Sequence, residues 1–322
     1  MLEQKLFDAL SPLDQLEHAL RERSEAFSDI VIPANHIRMH PETGHLELPH
    51  GSWDEAPLQD QAMDHIAVKL HIPATYLRRC PTRLRAENVN HWFKGLGYKR
   101  LLVRFDRAEV RAILTPSYVS INNVDLVHRF CQMAETKGLR LVVRYEWTAS
   151  RFVAQIVETK RDLAVPGDTM LGGIQLINSE TGDASLSVSA LLYRLVCTNG
   201  MTVSDSFGFR RVHRRAPEEL VDELTETVDT IWDRLPTLVE PVRYLAGINL
   251  ADPFREIDLL SKRFQLSEEQ QVRIHQAWLI EPGHTQLFLL HALTRAANNA
   301  DLPLTERTQL QAIAGELLAS RT

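Results

Sequence analysis

The apolar residues of this chain change their repeat twice, to alternation near residue 98 and back to helical spacing near residue 217. A helix hides one stripe and a strand hides every second side chain, so the order of repeats fixes which layers exist to be packed. Leu6, Leu10, Leu13, Leu16 and Leu20 predict a helix over 1–27, with Pro12 setting its true start. Residues 28–50 read as short strands and turns. Helices follow over 58–70, closed by Ile72-Pro73, and over about 74–94.

The middle alternates. YKRLLVRFD (98–106) and EVRAILTPSYVSI (109–121) read as a hairpin, and Asn122 or Asn123 opens a helix over 124–137 that Gly138 stops. LRLVVRYEW (139–147) with SRFVAQIVE (150–158) reads as a second hairpin. MLGGIQLIN (170–178) with ASLSVSALL reads as a third, with Gly172-Gly173 a bulge or a close-packing point. From Pro217 onward, helices are expected over the segment starting there and over about 253–264, 267–279, 284–299 and 305–319. The predicted class is α+β: a mainly antiparallel sheet with packed helices, then an all-helical C-terminal part. The expected parts are 1–97, helical with short strands; 98–215, one basic antiparallel sheet; and 216–322, acidic and helical.

Charge follows the same division. The 322 residues carry a net charge of −6, a poor advertisement for a polyanion binder. Residues 1–75 hold 5 Lys/Arg and 13 Asp/Glu, residues 76–215 hold 22 and 12, and residues 216–322 hold 9 and 17. The middle is therefore +10 between two ends of −8 each, and a polyanion responds to the local field rather than to the mean. The excess concentrates in 76–111 and in FGFRRVHRR (207–215). A basic middle docked on its own acidic ends would satisfy the same numbers.

Several chemistries lack their residues. There is no GxxxxGK[ST] loop, GxSxG elbow or HExxH pair, so no catalytic residue is assigned and no enzyme is expected. Cys80, Cys131 and Cys197 are scattered and odd in number, which excludes a disulfide framework and points to a reducing cytoplasm. His36, His40, His45 and His50 lie within 15 residues, yet without a cysteine or an HxH pair they read as solvated turn histidines. No metal and no cofactor is expected. No run of 18 apolar residues occurs, and the N-terminus lacks the pattern of a secretory signal.

Strand parity then selects candidate binding residues. In 98–106, Arg100 and Arg104 oppose the apolar Leu101, Val103 and Phe105, so both are expected to point outward. Arg144 opposes Val143 and Tyr145, and Arg151 shares a face with Gln155. With Arg111, Arg210, Arg211, Arg214 and Arg215 they form the expected nucleic-acid-binding set, with Tyr118 and Trp147 as stacking platforms. The expected partner is single-stranded DNA, and a homo-oligomer is compatible with the reading.

Four blocks resemble a phage- and plasmid-like family of unknown function found on mobile elements. They are AMDHIAVKLHIPATYLRRCPTRLRAENVNHWF, RAILTPSYVSINNVDLV, GGIQLINSETGDASLSVSALLYRLVCTNGM and HALTRAANNADLPLTERTQLQAIAGELL, together spanning about 60–318. RLVCTNGM (194–201) is the most specific stretch. His291, in place of an asparagine, and Thr115-Pro116 depart from the family pattern. The resemblance implies a mobile-element setting, and nothing catalytic follows from its motifs. RLVCTNGM itself reads as structural: Asn199-Gly200 is a turn signal, Gly200 is expected at positive φ, and Arg194 either fixes the turn or meets a phosphate. The functional expectation is a nucleic-acid binder serving replication or recombination. A protein-interaction or regulatory factor docking through its acidic helices stands as the alternative, and an enzyme of unknown class as a third.

Overall fold

The computed structural model describes residues 10–49, 55–165, 168–194, 199–203, 209–211 and 217–320. The N-terminal part runs β1 (Ser11–Pro12), α1 (Leu13–Ser24), β2 (Phe27–Pro33), β3 (Arg38–Met39), β4 (Leu46–Glu47), β5 (Glu55–Ala56), α2 (Asp60–Leu70), α3 (Ala74–Arg79) and α4 (Thr82–Gly95). Next come β6 (Arg100–Asp106), β7 (Glu109–Leu114), α5 (Asn123–Lys137), β8 (Leu141–Trp147), β9 (Phe152–Val165), β10 (Asp168–Asn178), β11 (Leu186–Arg194), β12 (Asn199–Val203) and β13 (Phe209–Arg211). The chain ends in α6 (Pro217–Arg234), α7 (Val239–Ala246), α8 (Pro253–Arg263), α9 (Glu268–Trp278), α10 (Gln286–Ala296) and α11 (Leu304–Ala319).

The class is α+β with antiparallel strand ladders, but the expectation of one sheet across the middle is corrected. β6 and β7 pair with β2 in a three-stranded sheet, whereas β8 to β13 form a seven-stranded sheet with β1. The reason lies in what each hairpin needs to cover. Val103, Phe105, Val110 and Ile113 join α2 and α4 around Ile66, Val89 and Phe93 in a core of their own. The large sheet buries Ile156, Ile174, Leu176, Val188 and Leu192 in a second core with α1, α5 and the C-terminal helices. Alternation placed strands over 98–121 and 139–158, although β7 ends at Leu114 and 115–121 is not strand; it carried nothing about which partner each would find.

Local signals mostly hold. Pro12 sits at the start of α1, and Gly138 closes α5 in the left-handed region at φ 64°. The helix expected over 74–94 is broken at Cys80-Pro81 into α3 and α4. Gly173 is a close-packing point next to a register shift: a Cβ there would lie 2.4 Å from the Ile156 carbonyl oxygen. Gly200 is corrected. It lies within β12, opposite Tyr193, and its φ is not positive. Its requirement is space, since a Cβ would lie 2.6 Å from Leu191 Cδ1 and 3.3 Å from Gln155 Nε2. Residues 195–198, including Cys197, lie outside the described residues, as does His50.

Among the described residues no helix is long and apolar enough to cross a membrane, and no group of three His, Cys, Asp or Glu stands ready for a metal ion. His45 faces Glu55 at 3.1 Å, and His40 Nδ1 accepts from the Glu42 and Thr43 amides.

Candidate polyanion cleft

The turn after β10, Asn178-Ser179-Glu180-Thr181-Gly182-Asp183, wedges between the two sheets and accounts for three of the predicted site residues. Arg104 is buried; its Nε donates to Asp29 at 2.9 Å and its Nη1 to the Glu180 carbonyl. Its outward placement is therefore corrected: the second face of β6 is itself covered, with Leu102, Ala112, Leu114 and Tyr118 packed there. Arg111 is buried too, 3.1 Å from Glu180, with its guanidinium 3.6 Å above the Phe27 ring. Burial pulls its pKa down and the Glu180 carboxylate opposes that. Tyr118 donates to the Ser179 carbonyl at 2.7 Å, and burial pushes its phenol pKa up. Glu180 Oε1 accepts from the Asn123 amide at 2.8 Å, which ties the turn to the start of α5. These groups hold the two sheets together.

Other predicted residues separate. Arg100 is exposed at the start of β6. Arg144 is half-buried and donates to Asn298 at 2.7 Å. Arg211 pairs with Glu223 of α6, an acid further along than the nearest ones in sequence. Because β13 pairs with β11, Arg210 and Arg211 do not neighbour Arg100 and Arg104 in one sheet. Arg214 and Arg215 lie outside the described residues.

Arg151 and Arg210 do come together. Both line a cleft of about 600 Å³ between one face of the large sheet and α11. Strand alternation builds its floor: Leu186, Val188 and Ala190 enter the core, so Ser187 and Ser189 turn the other way. Gln175, opposite Ser189, and Thr202 continue that floor, and Thr305 and Thr308 of α11 form the far wall. Gln155 donates to Gln175 at 3.0 Å and holds its amide in place. Neither Arg151 nor Arg210 has an ion-pair partner among the described residues. The carboxylate on the cleft, Asp183, is engaged by Gln61, by Thr181 Oγ1 at 2.8 Å and by His65 at 3.4 Å.

Arg151 also lines a smaller notch of about 30 Å³ with Arg23, Arg111, Trp147 and Ser150. Arg111 Nε and Nη2 are buried there without a hydrogen-bond partner. Trp147 stacks on Tyr145, ring centroids 5.3 Å apart, and Arg23 lies 5.6 Å from the Trp147 ring. Cleft and notch together offer guanidinium groups, hydroxyls and amides against two carboxylates, Asp183 and Glu180, both already engaged, a donor set suited to phosphate oxygens.

The floor was missed from the sequence. Its signal was present as Ser185, Ser187 and Ser189, hydroxyls on the off-beat of an apolar alternation, where a solvated strand face more often carries long polar side chains. A family profile described as a domain of unknown function, DUF932, matches residues 112–313. No curated protein and no solved structure matches the chain.

Proposed function

The chain belongs to the DUF932 family, and from that premise we propose that it is a nucleic-acid-binding protein of a mobile genetic element. It takes the phosphate backbone of a single strand of DNA along the cleft beneath α11. The carrying observation is Arg151, which stands on both cleft and notch and so joins Arg210 on the one to Trp147 on the other. Backbone charge supplies the affinity and Trp147 a flat surface at the notch for a base. The mobile-element setting rests on the RLVCTNGM block and its companions.

The test is binding of a labelled oligothymidylate and of a duplex over a salt series. Arg151→Ala with Arg210→Ala should weaken oligothymidylate binding and lower the slope of log affinity on log salt by roughly 1.4, two contacts at about 0.7 each for a single strand. Unchanged affinity and slope would remove the cleft from consideration.

A regulatory factor docking through its helices is the second reading. It is favoured by Phe254, Leu259 and Val272, large apolar residues exposed on α8 and α9.

A further inference from the structure

We infer that the outer face of α3 and α4 is a second contact for a single nucleic-acid strand, one that stacks its bases. This goes beyond the cleft but rests on the same reading of the ligand. α4 buries Ala86, Val89 and Phe93 in the N-terminal core, against β3 and the turn at Ala34–His36. That stripe accounts for its core-facing residues. Leu84, Asn88 and Trp92 follow one another at helical spacing on the opposite side, and Asn88 Nδ2 donates to the Leu84 carbonyl at 2.8 Å. Tyr76 of α3 joins them, its hydroxyl 3.4 Å from Asn88 Nδ2. Trp92 is 49% exposed, Tyr76 45% and Leu84 44%, and Tyr98, just beyond α4, is 80% exposed.

Large rings held this far into water on a helix with a complete core stripe mark a surface that something covers. Charge decides what covers it. Arg78 is paired with Asp64 at 2.5 Å and Arg83 with Glu87 at 3.5 Å. Arg79, Lys94, Lys99 and Arg100 are exposed and have no ion-pair partner among the described residues. Between Tyr76 and Arg100 the chain holds a single acid, Glu87. Rings set among unneutralised cations match a ligand that alternates flat apolar groups with negative charges, which is a strand of unpaired nucleotides. A duplex hides the faces of its bases, and an acidic lipid surface offers no planes to stack on. The face lies ahead of residues 112–313, the segment that the family profile matches.

The experiment uses the full chain and four probes: oligothymidylate, an abasic oligomer of equal length, oligouridylate, and vesicles of anionic phospholipid. Trp92→Ala with Tyr98→Ala should weaken oligothymidylate binding at least about tenfold, given the usual worth of a stacked base, and leave the salt slope and abasic binding unchanged. Lys94→Ala with Lys99→Ala should lower the slope for both oligomers. Trp92→Phe should restore most of the lost affinity. Tyr98→Ala alone, at a site with little to unpack, keeps the test open should the double variant fold poorly. Oligouridylate distinguishes an RNA from a DNA strand with the same stacking chemistry. Equal loss on the abasic oligomer, or vesicle binding that needs these rings while oligothymidylate binding does not, overturns the inference. If Arg151→Ala with Arg210→Ala weakens binding and the aromatic variants do not, the cleft stands and this face falls. If the unaltered protein binds no oligomer, both fall.

Discussion

Arginine meets opposite fates in two neighbouring regions, the seam between the sheets and the cleft beneath α11. At the seam, Arg104 and Arg111 are covered on every side and face Asp29 and Glu180. At the cleft, Arg151 and Arg210 line an open volume whose one carboxylate is already engaged. The seam arginines are committed to the fold, because a buried guanidinium without its carboxylate is unstable. The cleft arginines have no ion-pair partner among the described residues. The comparison teaches that arginine count finds a basic region, while the position of carboxylates decides which arginines remain available.

The sharpest way to break this contrast is Glu180→Ala. It strips a buried partner from Arg111 and the side-chain bond from the Asn123 amide, and should lower unfolding free energy by about 3–5 kcal/mol in urea titration. A loss no larger than that of an exposed pair would put the seam and the cleft in one class.

Gly200→Val comes next. Its Cβ would press on Leu191 and Gln155, and overpacking of this kind costs about 1–3 kcal/mol. Because Gln155 holds Gln175 on the cleft floor, the variant should also weaken oligothymidylate binding; stability loss with intact binding would separate the floor from its support.

A third test uses pH. His291 is buried near Glu281, which pairs with Arg194 at 3.0 Å, and burial with the neighbouring Arg194 and Arg295 charges pulls its pKa down from 6.5 to about 3. The folded state keeps the ring neutral while the unfolded chain protonates it below pH 6.5, so stability present above that pH should fall as pH drops toward 3. His291→Asn should flatten the melting temperature over this range, and an unchanged slope would mean the ring is protonated in the fold.

The smallest effect belongs to the arginine cluster after β12. Replacing Arg210, Arg211, Arg214 and Arg215 by alanine removes the half-exposed Arg211–Glu223 pair and should cost under about 1 kcal/mol. Oligothymidylate binding should weaken well beyond that. A large stability loss with unchanged binding would make the segment an internal clamp onto α6.

The α+β class was legible because repeat and turn chemistry are local properties. Asp60–Leu70, Asn123–Lys137 and most C-terminal helices fall where periodicity put them. α7 was missed; at 8 residues it is too short to show a period. Sheet membership was not legible, because β6 and β8 carry similar patterns and differ in what packs on the second face. Parity was right for Arg104 in placing it opposite Val103 and Phe105. It failed only in treating that opposite face as solvent, since a turn 76 residues further along covers it. Arg210 and Arg151 were legible as cations, and their meeting at one cleft was not.

The turn at 178–183 has a consequence for the route by which the chain folds. Its bonds to Asn123, Arg111 and Gln61 span 57, 69 and 120 residues, so the small sheet can lock onto the large one only after the β10–β11 hairpin exists. Closing loops of that length is entropically slow relative to forming helices or a local hairpin. Refolding should therefore proceed in two stages, with hairpin and helix signals ahead of the burial of Arg104 and Arg111. A nascent chain would leave both guanidinium groups without their Glu180 contacts until residue 180 has been synthesised, so the order of synthesis itself delays the joining of the two sheets.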